Sequence, residues 1–175
     1  MEIITGGVTA AKGFLAAGVE AGIKYQNRKD MAMVYSKTPC RAAGVFTTNV
    51  VKAAPVLWDK QVVENSDTVK AIAINSGIAN ACTGKLGNQA NEKFASIVGN
   101  ALNVEKEKVL ICSTGVIGKQ LSTDPIEKGI DEALKQLQDA RTQLVLKATD
   151  DEVNALKALM DQYQEKDYTA SSCRN

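Results

Sequence analysis

The chain contains no histidine among its 175 residues. Because imidazole is the general base of Ser-His-Asp and Cys-His sites, neither arrangement can be built from this chain alone. Zinc sites that use histidine are excluded too, and the four cysteines stand far apart without a CxxC pair: Cys40, Cys82, Cys112 and Cys173. We expect buried free thiols and no metal site.

The chain also has no marked excess of positive or negative residues. Twenty-one Lys and Arg residues face twenty Asp and Glu residues, for a net charge of +1, so no overall field favours nucleic acid or a membrane surface. No run approaches the ~18 apolar residues of a membrane span. The segment Met1-Glu2-Ile3-Ile4 carries an acid where a secretory signal carries Lys or Arg. We expect a cytoplasmic chain.

Short runs rich in Val, Ile and aromatic residues predict strands at 31–36, 42–47, 70–75 and 108–112. Between the last two, four apolar residues recur at helical spacing within 88–102: Phe94, Ile97, Val98 and Leu102. The pattern therefore predicts strand, glycine-rich loop, helix and strand, with one core large enough for an ordinary globular domain.

Helix signals become stronger after Leu121. Asp124 suits an N-cap, Pro125 the first helical position, and Glu127 stands where it can reach back to a free amide. One apolar face follows: Ile126, Ile130, Leu134, Leu137 and Ala140. A second cap at Thr149 precedes another apolar stripe: Val153, Leu156, Leu159, Met160 and Tyr163. We expect a mostly helical C-terminal third with a frayed end at 166–175.

Three loops cluster small residues where a ligand or another backbone can come close. The first, 6–14 (GGVTAAKGF), fits neither the dinucleotide fingerprint nor the P-loop pattern, which favours a structural turn. The second, 75–84 (NSGIANACTG), offers amides and hydroxyls either to a small polar ligand or to its own backbone. The third, 112–118 (CSTGVIG), places the Thr114 hydroxyl beside the Gly115 amide, two donors of the kind that an oxyanion needs, although the residues by themselves favour an ordinary strand exit.

Four segments taken together resemble the ornithine acetyltransferase family in order and spacing. They are GVTAAKGFLAAGVEAGIK at 7–24, AAGVFTTNVVKAAPV at 42–56, NSGIANACTG at 75–84 and STGVIG at 113–118. The resemblance covers Met1 to about Ile130. It implies a mixed α/β (α+β) fold, that of the α chain of ornithine acetyltransferases and DmpA-like proteins, over 1–130. We expect the residues at 131–175 to form a diverged helical tail.

The resemblance also implies a function in arginine biosynthesis. A precursor cuts itself before an internal threonine, and the freed Thr of the β chain takes the acetyl group of N-acetylornithine and passes it to glutamate. Thr114 and Gly115 match the family's oxyanion hole. No metal and no organic cofactor are implied, although acetyl-CoA is an additional acetyl donor in some members. The implied partner is the β chain, in an α2β2 assembly, together with the two small-molecule substrates.

The chain departs from the family pattern at several points. Ala11 stands where proline is usual and Ile78 where asparagine is usual, which removes a polar group near the expected site. The cleavage segment has no clear counterpart: Ala148-Thr149 is the only Ala-Thr pair, and its charged neighbours favour a helix cap at Thr149. Lys147 to Asp150 align only weakly with the family's Met-Thr-Thr-Asp segment.

Two other readings stay open beside the α-chain enzyme. A truncated or diverged relative would keep the fold as a structural or binding domain, with its tail covering the surface that a β chain buries. A nucleotide-binding domain would need a glycine pattern that none of the three loops has. Substrate-contacting residues other than Thr114 and Gly115 are not identified by the sequence.

Overall fold

The computed structural model describes residues 7–138. In chain order its elements are a 3₁₀ turn Val8–Ala10, strands β1 Phe14–Val19 and β2 Met31–Cys40, helix α1 Ala54–Asn65, strand β3 Val69–Ile78, helix α2 Gly84–Leu102, a 3₁₀ turn Lys106–Lys108, strand β4 Val109–Val116 and helix α3 Asp124–Gln138. The sheet order is β1-β2-β3-β4. The pairs β1/β2 and β2/β3 are antiparallel, whereas β3/β4 is parallel.

One face of the sheet is buried beneath the three helices. Helix α1 packs on β4, α2 on β4 and on both other helices, and α3 on β1 and β2. Alternate residues of β3 point into this core, so Ala71 and Ala73 are buried while Ile72, which lies between them, is half-buried. The largest fully buried apolar side chains of the core are Phe94, Met33, Ile111, Ile126, Ile130, Val19, Val98 and Val109.

The opposite face of the sheet is apolar but only half-buried. Because side chains alternate along each strand, residues in register form rows across this face. One row crosses all four strands through Ala16, Val34, Ile72 and Leu110. Each of these side chains keeps partial exposure, whereas most of their helix-side neighbours are buried. The sheet therefore presents a broad apolar surface away from its helices.

The predicted strand, loop, helix and strand unit is confirmed as β3, α2 and β4. The helical face of α2 is also confirmed, since Phe94 and Val98 have no exposed surface. Helix α3 buries Ile126 and Ile130 as predicted. Glu127, however, pairs with Lys93 of α2 at 3.3 Å instead of reaching back to an amide of its own helix. The predictions about Ala140, Thr149 and the tail beyond it concern residues outside the described part of the chain.

The prediction of a strand at 42–47 is wrong. This segment forms no ladder with any described strand, and Val45 is 101% exposed. Its alternation of small and apolar residues resembles a strand, but a strand also needs a neighbour to pair its backbone. Two elements were not predicted. Strand β1 (FLAAGV) is too rich in small residues to stand out, and α1 (APVLWDKQVVEN) carries the Val-rich composition of a strand on a helix.

The cysteines of the described part of the chain are free, as predicted. The expectation that they are buried is wrong, because Cys40 is half-buried and both Cys82 and Cys112 are exposed. Desolvation of the thiol and the nearby Asp59 carboxylate raise the pKa of Cys112, so its sulphur is protonated at neutral pH and a poor nucleophile.

Within 7–138, no group of His, Cys, Asp and Glu side chains is arranged to hold a metal ion. Among the helices of the same residues, none combines the length and the apolar character needed to cross a membrane.

Helix α1 supplies hydrogen bonds to the outer edge of β4, the last strand of the sheet. The Trp58 indole donates to the Val109 carbonyl at 2.9 Å, and the Asp59 carboxylate accepts the Ile111 N–H at 2.8 Å. At the start of the strand, the Ser66 hydroxyl donates to the Glu107 carbonyl at 2.8 Å. An unpaired strand edge is prone to unwanted pairing, so these side chains protect it.

The Asp59 contact makes stability depend on pH. Burial raises the pKa of Asp59 to about 6, against the smaller opposing effect of the Ile111 hydrogen bond. The folded chain therefore holds this proton more tightly than the unfolded chain, and stability falls as pH rises from about 4 to about 6. Above about pH 6 the carboxylate is charged, and the cost of burying this charge continues to lower the free energy of unfolding.

Asp59→Asn keeps an oxygen that accepts the Ile111 N–H and removes the charge. From about pH 4 to about pH 8, we expect the free energy of unfolding of the variant to improve relative to the parent. The expected change is on the order of 1 kcal/mol, since partial exposure screens the charge. Urea denaturation at both pH values measures it. An unchanged difference between variant and parent at the two pH values would contradict this account.

Candidate active site

The carboxyl ends of three strands meet at one edge of the sheet. Strands β1, β3 and β4 run in the same direction, since β2 is antiparallel to both of its neighbours and β3 is parallel to β4. The connections that leave these strands, at 20–30, 79–83 and 117–123, therefore lie at the same edge. In open sheets with parallel strands, this is where ligands bind.

The structure brings together two of the three loops singled out in the sequence. Residues 75–84 and 112–118 leave the parallel pair β3/β4 side by side. The Ala79 N–H donates to the Val116 carbonyl at 3.0 Å, and the Gly118 N–H donates to the Ala81 carbonyl at 2.8 Å. The Gln120 amide adds a bond to the Thr83 carbonyl at 3.0 Å. These bonds make the two loops one structural unit.

The described part of the first loop, 7–14, lies apart from them. It precedes β1 and therefore sits at the amino end of that strand, at the opposite edge of the sheet from the other two loops. A side chain added at Gly7 or Gly13 would meet no atom within 4 Å. Gly7 and Gly13 thus belong to a turn and not to a place where a ligand or another backbone comes close, which favours the interpretation of this loop as a structural turn.

Polar side chains of the loop 75–84 bond to one another, to the loop's backbone and to the first turn of α2. The Asn80 side chain, with no exposed surface, donates to the Gly87 carbonyl at 2.9 Å and accepts the Thr83 hydroxyl at 2.8 Å. The Asn75 amide donates to the Ile78 carbonyl at 2.9 Å. Of the two readings of this loop, these contacts favour the one in which it satisfies itself, while the buried Asn75 side-chain oxygen has no hydrogen-bond partner among the described residues.

Ile78, which departs from the family pattern, is 3% exposed and belongs to the hydrophobic core. Its side chain therefore points away from the surface of the loop. An apolar residue suits this position, because a polar side chain here would have to be buried and paired.

Thr114 and Gly115 lie near the carboxyl end of β4, and both are exposed. In the parallel ladder Thr114 is opposite Ser76 and Gly115 is opposite Gly77. By the alternation of side chains, Thr114 stands on the half-buried face of the sheet, in the direction away from the helices. Its hydroxyl is thus accessible from that face.

The backbone N–H of Gly115 faces the free edge of β4. Along a strand the N–H groups of residues two apart point the same way. The Ile111 N–H points outward to Asp59, and the Val116 carbonyl points inward to Ala79. Gly115, four residues beyond Ile111, therefore directs its N–H outward. Helix α1 covers the edge at Val109 and Ile111, so the Gly115 N–H lies past the end of this cover.

Gly115 lies against Gly77 so closely that its position has no room for a larger residue. A Cβ on Gly115 would lie 2.2 Å from the carbonyl carbon of Gly77 and 2.4 Å from its oxygen. The backbone of Gly115 also has φ +130°, and that of Gly77 has φ +106°, a region that favours glycine. The contact fixes the end of β4 against β3 and with it the direction of the Gly115 N–H.

A groove of about 630 Å³ lies elsewhere, between α1, α2 and the segment 105–108. Its wall includes Trp58, Gln61, Asn91 and Lys108 but neither Thr114 nor Gly115. The pair of donors at the carboxyl edge therefore lies outside this groove, on an open surface of the described residues.

The ArgJ family profile matches residues 15–171. The arginine biosynthesis bifunctional protein ArgJ of Thermotoga neapolitana is 50% identical over 127 residues, which cover 72% of this chain and 32% of that protein. The protein of the same name from Gloeobacter violaceus is 48% identical over 142 residues, 81% of this chain and 34% of that protein. The chain thus spans about one third of the length of these relatives.

Two solved structures share the fold. Ornithine acetyltransferase from Mycobacterium tuberculosis, complexed with ornithine, is 41% identical with a TM-score of 0.71, over 77% of this chain and 76% of that one. ArgJ from Bacillus halodurans is 33% identical with a TM-score of 0.70, over 82% of this chain and 78% of that one. The predicted mixed α/β fold of this family is therefore confirmed. Because the family profile spans most of the chain and relatives match it at about half of the aligned positions, the chain belongs to the ArgJ family.

Proposed function

We propose that this chain is the α-chain part of an N-acetyltransferase that moves an acetyl group from N-acetylornithine to glutamate in arginine biosynthesis. The observation that carries the proposal is the pair of donors at the end of β4. The accessible Thr114 hydroxyl and the outward Gly115 N–H adjoin each other on a strand that the Gly77 contact holds in place. A rigid pair of donors at an edge is suited to a developing oxyanion.

In the proposed reaction the nucleophile comes from a β chain that begins with threonine. Its hydroxyl oxygen attacks the acetyl carbonyl carbon of N-acetylornithine, and the Thr's own amine takes the hydroxyl proton. A C–O bond forms and the carbonyl oxygen becomes an oxyanion, which Thr114 and Gly115 stabilise. Collapse breaks the C–N bond, and the ornithine amine leaves with the proton.

Transfer to glutamate reverses these steps. The glutamate amine attacks the acetyl ester, the same two donors stabilise the second oxyanion, and the β-chain hydroxyl leaves with its proton restored. The scheme needs no imidazole, metal or organic cofactor, which is consistent with a chain that contains no histidine. Acetyl-CoA is an alternative acetyl donor for the same acyl-enzyme.

Two observations support a β chain as partner. This chain spans about one third of its relatives' length, so the proposed enzyme needs further residues. The sheet also leaves an apolar row half-exposed, through Val34, Ile72 and Leu110, on the face to which Thr114 belongs. A β chain that covers this face would enclose Thr114 at the same time. The proposed enzyme is a cytoplasmic α2β2 assembly produced by self-cleavage of a precursor.

Thr114→Ala removes one of the two donors. We expect kcat for acetyl transfer to fall about 10²–10³-fold, because a lost oxyanion donor costs about that much, while Thr114→Ser keeps the hydroxyl and most of the rate. The assay mixes this chain with the β chain of a relative and follows N-acetylglutamate formation. Thr38→Ala, which changes an exposed threonine of β2, is the control.

Loss of transfer in Thr114→Ala alone supports the oxyanion role. Equal activity of Thr114→Ala and the parent would refute it. If the folded parent chain is inactive with every β chain, the enzyme proposal fails and the reading as a non-catalytic structural or binding domain replaces it.

Gly115→Ala tests the second donor without removing its N–H. The added Cβ would meet the Gly77 carbonyl at 2.4 Å, so the end of β4 has to move. We expect a fall in kcat of about 10²-fold, the cost of roughly 1 Å of misplacement. Gly118→Ala is the matched control, since Gly118 also has positive φ (+78°) but no atom within 4 Å of an added Cβ. Similar rates for the two variants would contradict the assigned role of the Gly115 contact.

A further inference from the structure

A buried carboxylate organises the connection between β1 and β2. Asp30 is 2% exposed, and its side chain accepts three backbone N–H groups, from Ala21 at 2.7 Å, Gly22 at 3.2 Å and Ile23 at 2.6 Å. Three successive amides that converge on one carboxylate form a concave anion cradle. The turn at 21–23 is therefore shaped around Asp30.

The Asp30 carboxylate has no cationic partner within the described residues, where no Lys or Arg forms a salt bridge with it. A buried carboxylate is costly unless hydrogen bonds compensate it. Here the compensation comes from the backbone of the turn alone. Replacement of Asp30 therefore releases three amides, and the turn loses the conformation that these bonds impose.

This turn connects to the proposed active site by two routes. In the first, the Asp30 carbonyl accepts the Ser76 N–H at 2.8 Å, which fixes the residue just before Gly77. In the second, the turn places Lys24 over Gly77, where a Cβ on Gly77 would lie 2.8 Å from the Lys24 Cβ and 3.6 Å from its Cδ. The first route ends at Ser76 and the second at Gly77, the residue against which Gly115 packs.

The stem of Lys24 is itself held in place. Its ammonium donates to the Tyr25 hydroxyl at 2.7 Å, and this bond, with the charge of Lys24, lowers the pKa of Tyr25. The Arg28 guanidinium lies over the same ring, 4.8 Å from its centre. The charged end of Lys24 thus stays at the surface while its carbon chain lies against Gly77.

We propose that Asp30 is a positioning residue for the oxyanion donors. Its carboxylate shapes the turn at 21–23, the turn presses Lys24 onto Gly77, and Gly77 sets the position of the Gly115 N–H. Asp30 touches neither substrate nor the reacting atoms. The effect on catalysis rests on the proposed acetyl transfer, whereas the effect on the Gly115 amide does not.

The structural part is tested on the chain alone by Asp30→Asn, with backbone amide signals followed by NMR. An Asn side chain offers one acceptor oxygen where the carboxylate offers two, and its NH₂ group opposes the amides of the turn. We expect the amide signals of Gly77 and Gly115 to shift together with those of 21–23. Asp59→Asn is the matched control, a carboxylate that accepts the Ile111 N–H on the outer edge of β4. An unmoved Gly115 signal in Asp30→Asn would overturn the proposal.

Lys24 provides a milder pair of variants in case Asp30→Asn does not fold. Lys24→Gly removes the side chain that lies on Gly77, and Lys24→Met restores an unbranched stem without the charge. We expect the Gly115 signal to shift in Lys24→Gly and to return toward its original position in Lys24→Met. If Lys24→Met resembles Lys24→Gly, packing of the Lys24 stem on Gly77 does not control the Gly115 signal, and this part of the proposal is refuted.

The catalytic part is tested in the mixture with a β chain. We expect Asp30→Asn to lower kcat about 10–100-fold with little change in KM, because misplaced donors raise the barrier without weakening substrate binding. Asp59→Asn should keep the parent kcat. An unchanged kcat in folded Asp30→Asn would overturn the inference, whereas an inactive parent mixture would refute the proposed function and leave the NMR result to decide the positioning role.

Discussion

Two glycines that face each other in a parallel strand pair, Gly77 and Gly115, meet where a Cβ added to Gly115 would clash with the Gly77 carbonyl. Most features of the carboxyl edge are placed by this contact. The loop after β3 returns to β4 through the Ala79 bond to Val116. The Thr114 hydroxyl and the Gly115 N–H then take fixed directions relative to the sheet. A single Cβ in this contact would alter all of these distances.

Side chains of α1 cover only part of the outer edge of β4, and this explains why the proposed donors lie at the carboxyl end of the strand. An edge strand exposes unpaired N–H and C=O groups, and proteins usually cover them. Here Trp58 and Asp59 cover the first half of the strand, and the cover ends before Gly115. The outward N–H of Ile111 has to be covered by a side chain, whereas the outward N–H of Gly115 is proposed as a hydrogen-bond donor for the reaction. Helix α1 thus protects the strand and sets the limit of the proposed site.

The sequence allowed the unit β3-α2-β4 and helix α3 to be predicted, because their apolar residues follow the periods of strands and helices. The Thr114-Gly115 pair was predicted as a site from its position after an apolar strand and within a family motif, and its role stays a prediction. The strand at 42–47 was predicted wrongly, since composition does not reveal whether a neighbouring strand exists. Helix α1 was missed because its Val-rich composition is that of a strand. The role of Asp30 was not predicted, because its partners are backbone N–H groups and these leave no pattern of side chains in the sequence.

The chain holds one tryptophan, and its indole is bonded to the Val109 carbonyl on the edge of β4. The aromatic group that absorbs and emits at the longest wavelength is therefore attached to the strand that carries Thr114. Separation of α1 from this edge would expose the indole to water and change its emission, with no other tryptophan to obscure the signal. The protein thus has an intrinsic fluorescent reporter of whether β4 is seated, which can be read in the unlabelled chain.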